Sequence, residues 1–223
     1  MNLALRTIYR SFVLAIKAYQ RLFLDLRVWG RENIPQGAKI YVANHITATD
    51  VCWALPVFPE PVHIVHGPAF KSWWMSRVLQ AFEQINARPG HLKSLIQTAV
   101  EYLRRGEPVG ITPEGDLNDP LALGSFQGGV AAIYRRIRVP IVPMAFVAPR
   151  WNMRRLPFEV RVDGRVYETI TVLRGPYCIN IGEPCMPEIP EGTKDEQNAH
   201  IVASIKQRIE ALIEDVRINK FWR

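Results

Sequence analysis

Apolar residues fall into two rhythms along this chain. One is a helical spacing near 3.6 residues, the other a set of short continuous runs, and the two alternate over the first two thirds. Residues 3–28 are apolar but repeatedly broken by charge. Arg6, Arg10, Lys17 and Arg21 are spaced 4, 7 and 4 apart, which places them on one stripe of a helix. Leu5, Ile8, Phe12, Ala15, Ile16, Tyr19, Leu22, Phe23 and Leu26 lie away from that stripe. A turn-rich link through Trp29, Gly30, Pro35 and Gly37 leads to an apolar run at 39–43, read as a buried strand. A short helical segment at 51–55 stops at Pro56, and a second strand is expected at 62–65. Helices over 70–82 and 92–105 flank a weak strand at 84–87. Leu95, Ile96, Ala99, Val100 and Leu103 form the apolar side of the second helix, and Gly106 is its stop.

Strands at 108–111 and 139–147 follow, with an irregular loop and a helix at 128–136 between them. Pro140 and Pro143 interrupt the second of these strands, so a strand start or a bulge is expected there. Strands at 158–162 and 169–173, joined by a turn at Asp163-Gly164, and another at 177–181 precede a last amphipathic helix at 199–216. The alternation predicts an α/β fold: a mixed, largely parallel sheet flanked by helices, with an N-terminal amphipathic helical segment. Residues 1–28 are expected as a membrane-associating helix and residues 29–223 as the α/β domain.

No run of 18 apolar residues occurs, so no transmembrane span is expected, and the early arginines break up any signal-peptide core. The first helix has two readings. It packs on its own domain, or it lies in a membrane interface with its apolar face in lipid and its cations at anionic headgroups, where Tyr9, Tyr19 and Trp29 suit the headgroup level. The second reading places the protein peripherally on the cytoplasmic face of a membrane.

Composition narrows the partners. The 223 residues suffice for one full core, and 28 Lys and Arg against 21 Asp and Glu give a net charge of +7. That balance suits nucleic acid, an anionic membrane, or a phosphorylated or thioester-nucleotide substrate. No nucleic-acid motif accompanies it, so no nucleic-acid partner is expected. Cys52, Cys178 and Cys185 form no C-x-x-C pair, pointing to a reducing compartment, and each reads as a small buried hydrophobe rather than a nucleophile. His63 and His66 read as packing or surface histidines, because no third ligand lies at metal spacing. Trp73 and Trp74 are adjacent on a helix and so point in different directions. Core packing is one reading for them; a wet-dry boundary or acyl-chain contact, shared with Met75, is the other.

The candidate chemistry sits at 42–50, where the first buried strand runs into Asn44-His45-Ile46-Thr47-Ala48-Thr49-Asp50. Positions five apart lie roughly 140° out of phase on a helix, so His45 and Asp50 cannot meet across one helix face. They can meet if His45 is in the loop and Asp50 opens the next helix, capped by Thr47 or Thr49. Asp50 then takes the proton on one imidazole nitrogen and leaves the other as a base. With no Ser or Cys nucleophile in the stretch, that base would activate an incoming hydroxyl.

Taken together, Gly30-Arg31-Glu32-Asn33-Ile34-Pro35, Asn44-His45 through Asp50, Pro113-Glu114-Gly115 and Val139-Pro140-Ile141-Val142-Pro143 occur in an order that resembles the glycerolipid acyltransferase family, which contains the 1-acylglycerol-3-phosphate acyltransferases. The match spans residues 29 to 147, with a weaker echo at Ile181-Gly182-Glu183-Pro184. The resemblance implies acyl transfer from acyl-CoA or acyl carrier protein to a lipid hydroxyl, a lysophosphatidate-type acceptor by default, on a membrane-associated α/β fold with neither cofactor nor metal. It implies His45 as general base, Asp50 as its partner, and direct attack of the acceptor on the thioester. Arg88 matches the arginine of the second block, and Glu114 and Gly115 match the acceptor-binding loop. Where the family has Thr-Arg, this chain has Asp116-Leu117, which removes the arginine expected to hold a phosphate. Arg88, Lys71 or a basic residue from elsewhere would have to compensate, or the acceptor lacks a phosphate there. A non-catalytic membrane-binding relative is a further alternative, against which the intact His45 and Asp50 speak.

Overall fold

The computed structural model describes residues 3–87, 91–118, 122–162 and 165–220. In chain order the elements are α1 (Leu3–Phe23), β1 (Leu24–Trp29), β2 (Ile40–Ala43), α2 (Asp50–Ala54), β3 (His63–His66), α3 (Trp73–Ala81), β4 (Ile85–Asn86), α4 (Leu92–Arg104), β5 (Val109–Ile111), α5 (Gly129–Tyr134), β6 (Ile141–Val147), β7 (Arg154–Val162), β8 (Arg165–Thr171), β9 (Gly175–Ile181) and α6 (Lys194–Asp215). Among the described residues seven strands form one sheet in the order β1-β9-β6-β2-β5-β3-β4, and β7 and β8 make a separate antiparallel ribbon. From β6 to β4 every pairing is parallel; β9 joins β6 antiparallel, and β1 runs parallel to β9. This is the expected mixed, largely parallel sheet.

β2 lies at the centre because all four of its residues are apolar and buried. Its alternate side chains feed two cores. Ile40 and Val42 join α4, α5 and α6 on one face, and Tyr41 and Ala43 join α1 and α2 on the other. A sheet buried on both faces has its strand ends as the open place, and there the loops after β2, β5 and β3 converge. α6 starts with a capping box between Thr193 and Glu196 and buries Ile201, Ile205, Ile209 and Ile213 at helical spacing.

Two expectations need correction. The first helix ends at Phe23, and residues 24–29 form an edge strand. There Leu24, Leu26 and Val28 alternate with Asp25 and Arg27, a period of two that turns the apolar side chains onto the α1 face. The segment expected as one helix to residue 28 is therefore a helix followed by part of the sheet. Trp73 and Trp74 are not core residues either: they are 74% and 55% exposed, and α3 buries none of its residues. Pro143 sits where a bulge was expected, between the Ile141–Cys185 bridge and the start of the β6–β9 ladder at Met144. Its carbonyl still accepts the Gly182 N–H at 2.9 Å.

α1 packs on the domain through Tyr9, Ile16 and Gln20, and Gln20 donates to the Trp53 carbonyl at 2.9 Å. A second stripe of α1, Ile8, Phe12, Ala15 and Leu22, stays exposed. Phe82, just past α3, stacks on Phe12 and meets Tyr9 edge-on. Among the described residues no helix is long and apolar enough to cross a membrane.

Candidate active site

The loop leaving β2 is built by its own polar residues. Asn44 stands in for a strand partner: its side-chain amide donates to the Phe146 carbonyl at 2.9 Å and its oxygen accepts the Phe146 N–H at 2.7 Å. This pins the end of β2 to β6 and fixes where His45 leaves the sheet. Asp50 opens α2 and turns back into the loop, where its Oδ2 accepts the N–H groups of Ile46 and Thr47 at 2.8 and 2.9 Å. The same oxygen lies 3.0 Å from His45 Nδ1. Oδ1 accepts the hydroxyls of Thr47 and of Tyr177, the latter at 2.7 Å. Asp50 is fully buried while the His45 side chain is 23% exposed, so the pair has a buried acidic end and an accessible imidazole end. Thr49 occupies the helix-capping position without a side-chain cap bond; its hydroxyl pairs with the backbone of Val172 instead.

His45 is also held by its own backbone. Its N–H donates to Glu114 Oε2 at 2.7 Å, and its carbonyl accepts the Asn118 N–H at 2.8 Å. Glu114 Oε1 accepts the Gly124 N–H at 2.7 Å. Burial pushes the Glu114 carboxyl above its ordinary range, against the pull of the two N–H donors and of His45. Gly115 takes a left-handed backbone (φ +72°), and a Cβ there would meet Gln127 Nε2 at 2.2 Å. Asp116 turns onto its own loop and accepts the Leu117 N–H at 2.8 Å.

The structure thus brings together His45, Asp50 and Glu114, with Gly115 shaping the loop. Lys71 is exposed at the end of a 3-10 turn, Pro68–Lys71, after β3. Arg88 lies outside the described residues, as does the turn at Asp163-Gly164. Two residues near the pair carried no site signal in the sequence. Tyr177, on β9, is there only the first residue of an expected strand. His66 ends β3 and lies close enough to His45 to feel its charge; burial, with His45 adding to it, lowers its pKa to about 4 against an opposing bond from Gln84.

The remaining candidates are structural. His63 bonds the Glu83 carbonyl through Nδ1 at 2.8 Å and Glu107 through Nε2 at 3.1 Å, and stacks on Tyr102. All three cysteines are free, and burial raises each thiol, Cys178 to about 12, so none is poised as a thiolate. Among the described residues no group of three His, Cys, Asp or Glu side chains is placed to hold a metal ion.

This arrangement supports proton abstraction at an accessible imidazole nitrogen, beside a loop that carries glycines and backbone donors. Residues 25–147 match the family model described as Acyltransferase. Over 148 residues the chain is 27% identical to the 1-acyl-sn-glycerol-3-phosphate acyltransferase of Bacillus subtilis (strain 168), covering 63% of this chain and 72% of that protein. Its fold is similar to that of the 1-acyl-sn-glycerophosphate (LPA) acyltransferase PlsC from Thermotoga maritima. That likeness has a TM-score of 0.67 at 21% identity and covers 97% of this chain and 82% of the other.

Proposed function

This chain belongs to the acyltransferase family, and on that premise we propose that it moves a fatty acyl group from acyl-CoA or acyl carrier protein to the hydroxyl of a lysophosphatidate-type lipid, with His45 as general base. The observation that carries the reading is the 3.0 Å contact between His45 Nδ1 and the buried Asp50 carboxylate, which leaves Nε2 as the free nitrogen. In the proposed reaction Nε2 takes the acceptor's hydroxyl proton as that oxygen attacks the thioester carbonyl. Collapse of the tetrahedral intermediate breaks the carbon–sulfur bond, and the imidazolium returns its proton to the departing sulfur. Asp50 stays ionised and steadies the imidazolium between the two transfers. No acyl-enzyme, cofactor or metal takes part.

Glu114 and Gly115 shape the acceptor side of this site, and Arg88 and Lys71 are the cations proposed to meet a phosphate. The exposed apolar stripe of α1, with Trp73 and Trp74, supports a peripheral position on a membrane surface, where a lipid acceptor is found, and the cytoplasmic face is the side proposed. A second reading rests on Asp116-Leu117. The loop carries a carboxylate and an apolar side chain where related sequences are expected to carry a phosphate-binding arginine, which favours an acceptor without phosphate at that point.

Purified protein incubated with labelled acyl-CoA or labelled acyl carrier protein, and with hydroxylated lipids bearing or lacking a phosphate, tests both readings. Transfer to the phosphate-bearing lipid, falling about 10²–10⁴-fold in His45→Ala, is expected. Full transfer by His45→Ala overturns the role of His45, and transfer only to phosphate-free lipids selects the second reading.

A further inference from the structure

None of the Asp50 side chain is exposed, so a carboxylate charge there persists only where donors replace water. Oδ2 receives His45 Nδ1 and the N–H groups of Ile46 and Thr47, all from the loop that Asp50 itself closes. Oδ1 receives the Thr47 hydroxyl, also local, and one group from far along the chain: the hydroxyl of Tyr177, 127 residues away, at 2.7 Å. Tyr177 is 0% exposed. It is fixed on β9 opposite Leu26 of β1, with its ring centroid 6.3 Å from that of Phe146. Burial, and then the neighbouring Asp50 charge, hold its phenol protonated far above the ordinary tyrosine range, so it meets Asp50 as a donor and not as a second anion.

We propose that Tyr177 is a positioning residue for the reaction, aiming Asp50 through Oδ1 and holding it ionised so that Oδ2 serves His45. The proposal rests on His45 being the base. Two physical effects follow from the geometry. The Tyr177 bond fixes the plane of the carboxylate from the side opposite His45, which a loop-borne aspartate held only by its own turn would lack. Donors also occupy both carboxylate oxygens, so when His45 becomes an imidazolium its Nδ1 proton stays on the ring and does not pass to Asp50. β9 thereby reaches the site from the strands that run against the parallel set. The titratable groups facing the His45, Asp50 and Tyr177 cluster are Glu114 on the loop after β5, His66 at the end of β3, Cys52 on α2 and Cys178 on β9.

The test is a titration of the His45 ring, followed by NMR in the full-length protein with labelled histidine and assigned through His45→Gln. It needs no substrate, so it stands even if no acyl transfer is found. In Tyr177→Phe one donor is lost and Asp50 draws the imidazolium proton more strongly. The His45 midpoint is expected to rise by about half to one pH unit. Where acyl transfer is measurable, the acidic limb of its pH profile moves up by the same amount, and kcat falls about three- to tenfold with KM little changed. Should Tyr177→Phe fail to fold, 3-fluorotyrosine at position 177 keeps the ring and hydroxyl but makes a stronger donor, and the midpoint is expected to fall. A folded Tyr177→Phe, or a 3-fluorotyrosine protein, whose His45 titration matches that of the natural protein overturns the proposal and leaves Tyr177 a packing residue.

Discussion

Glu114 accepts the backbone N–H of His45 at 2.7 Å, so the carboxylate of the acceptor-binding loop also holds the base in place. Its other oxygen is engaged by Gly124, which ties the loop after β5 to the loop after β2. In Glu114→Gln the amide nitrogen must face one of two N–H donors, leaving a largely buried group unpaired at about 1–3 kcal/mol. The expected result is a loss of stability of that order in urea unfolding and a kcat lowered about ten- to a hundredfold, with KM nearly unchanged. A variant that raises KM alone would return Glu114 to acceptor binding.

Gly115 serves the same junction by conformation. At φ +72° an alanine is strained, and its Cβ would displace the Gln127 side chain, whose backbone N–H donates to the Pro113 carbonyl at 2.8 Å. Gly115→Ala is expected to lower stability by about 1–2 kcal/mol in thermal or urea unfolding. Acyl transfer should fall with it, because Glu114 and Asn118, on either side, hold the two backbone polar groups of His45. Unchanged unfolding would show that the loop has another backbone conformation available.

The His45–Asp50 pair was legible in the sequence because everything that makes it is local: a continuous apolar run, then a polar loop that closes on itself within six residues. The central strands were legible for the same reason, as short apolar runs between turn residues. Tyr177 was not, since only the sheet order brings β9 to the loop, and an isolated tyrosine in a strand has no polar pattern around it. The Glu114 bond to the His45 N–H was hidden for a related reason: sequence fixes which residue a carboxylate belongs to, and not which backbone donor it meets 69 residues away. β1 was lost to the helix before it because Leu24, Leu26 and Val28 continue an apolar stretch that is too short to declare its own period.

The exposed stripe of α1 bears on how the membrane would be met. At about 100° per residue, Ile8, Phe12, Ala15 and Leu22 point roughly opposite to Arg6, Arg10, Lys17 and Arg21. If the apolar stripe enters lipid, those cations face water, and attraction to anionic headgroups is the weaker contribution. Substituting Phe12 and Leu22 by Ser, each worth about 1–2 kcal/mol in lipid, is expected to weaken vesicle flotation at least tenfold. Substituting Arg6 and Arg10 by Gln, or raising salt, should change it less. The reverse order of effects would mean that the helix binds by charge.

His66 ties stability to pH. Its folded pKa is lowered to about 4, chiefly by burial and then by the charge of His45, from an unfolded value near 6.5. Between those values the unfolded chain binds the proton and the folded protein does not. Stability from this group is therefore full above about pH 6.5 and is lost as pH falls toward 4, by at most about 3 kcal/mol. Urea unfolding at a series of pH values across that window should show the decline in the natural protein. A flatter curve is expected in His66→Gln, which keeps hydrogen-bonding capacity without the titration. If the two slopes coincide, His66 is protonated in the folded protein and carries its charge beside His45.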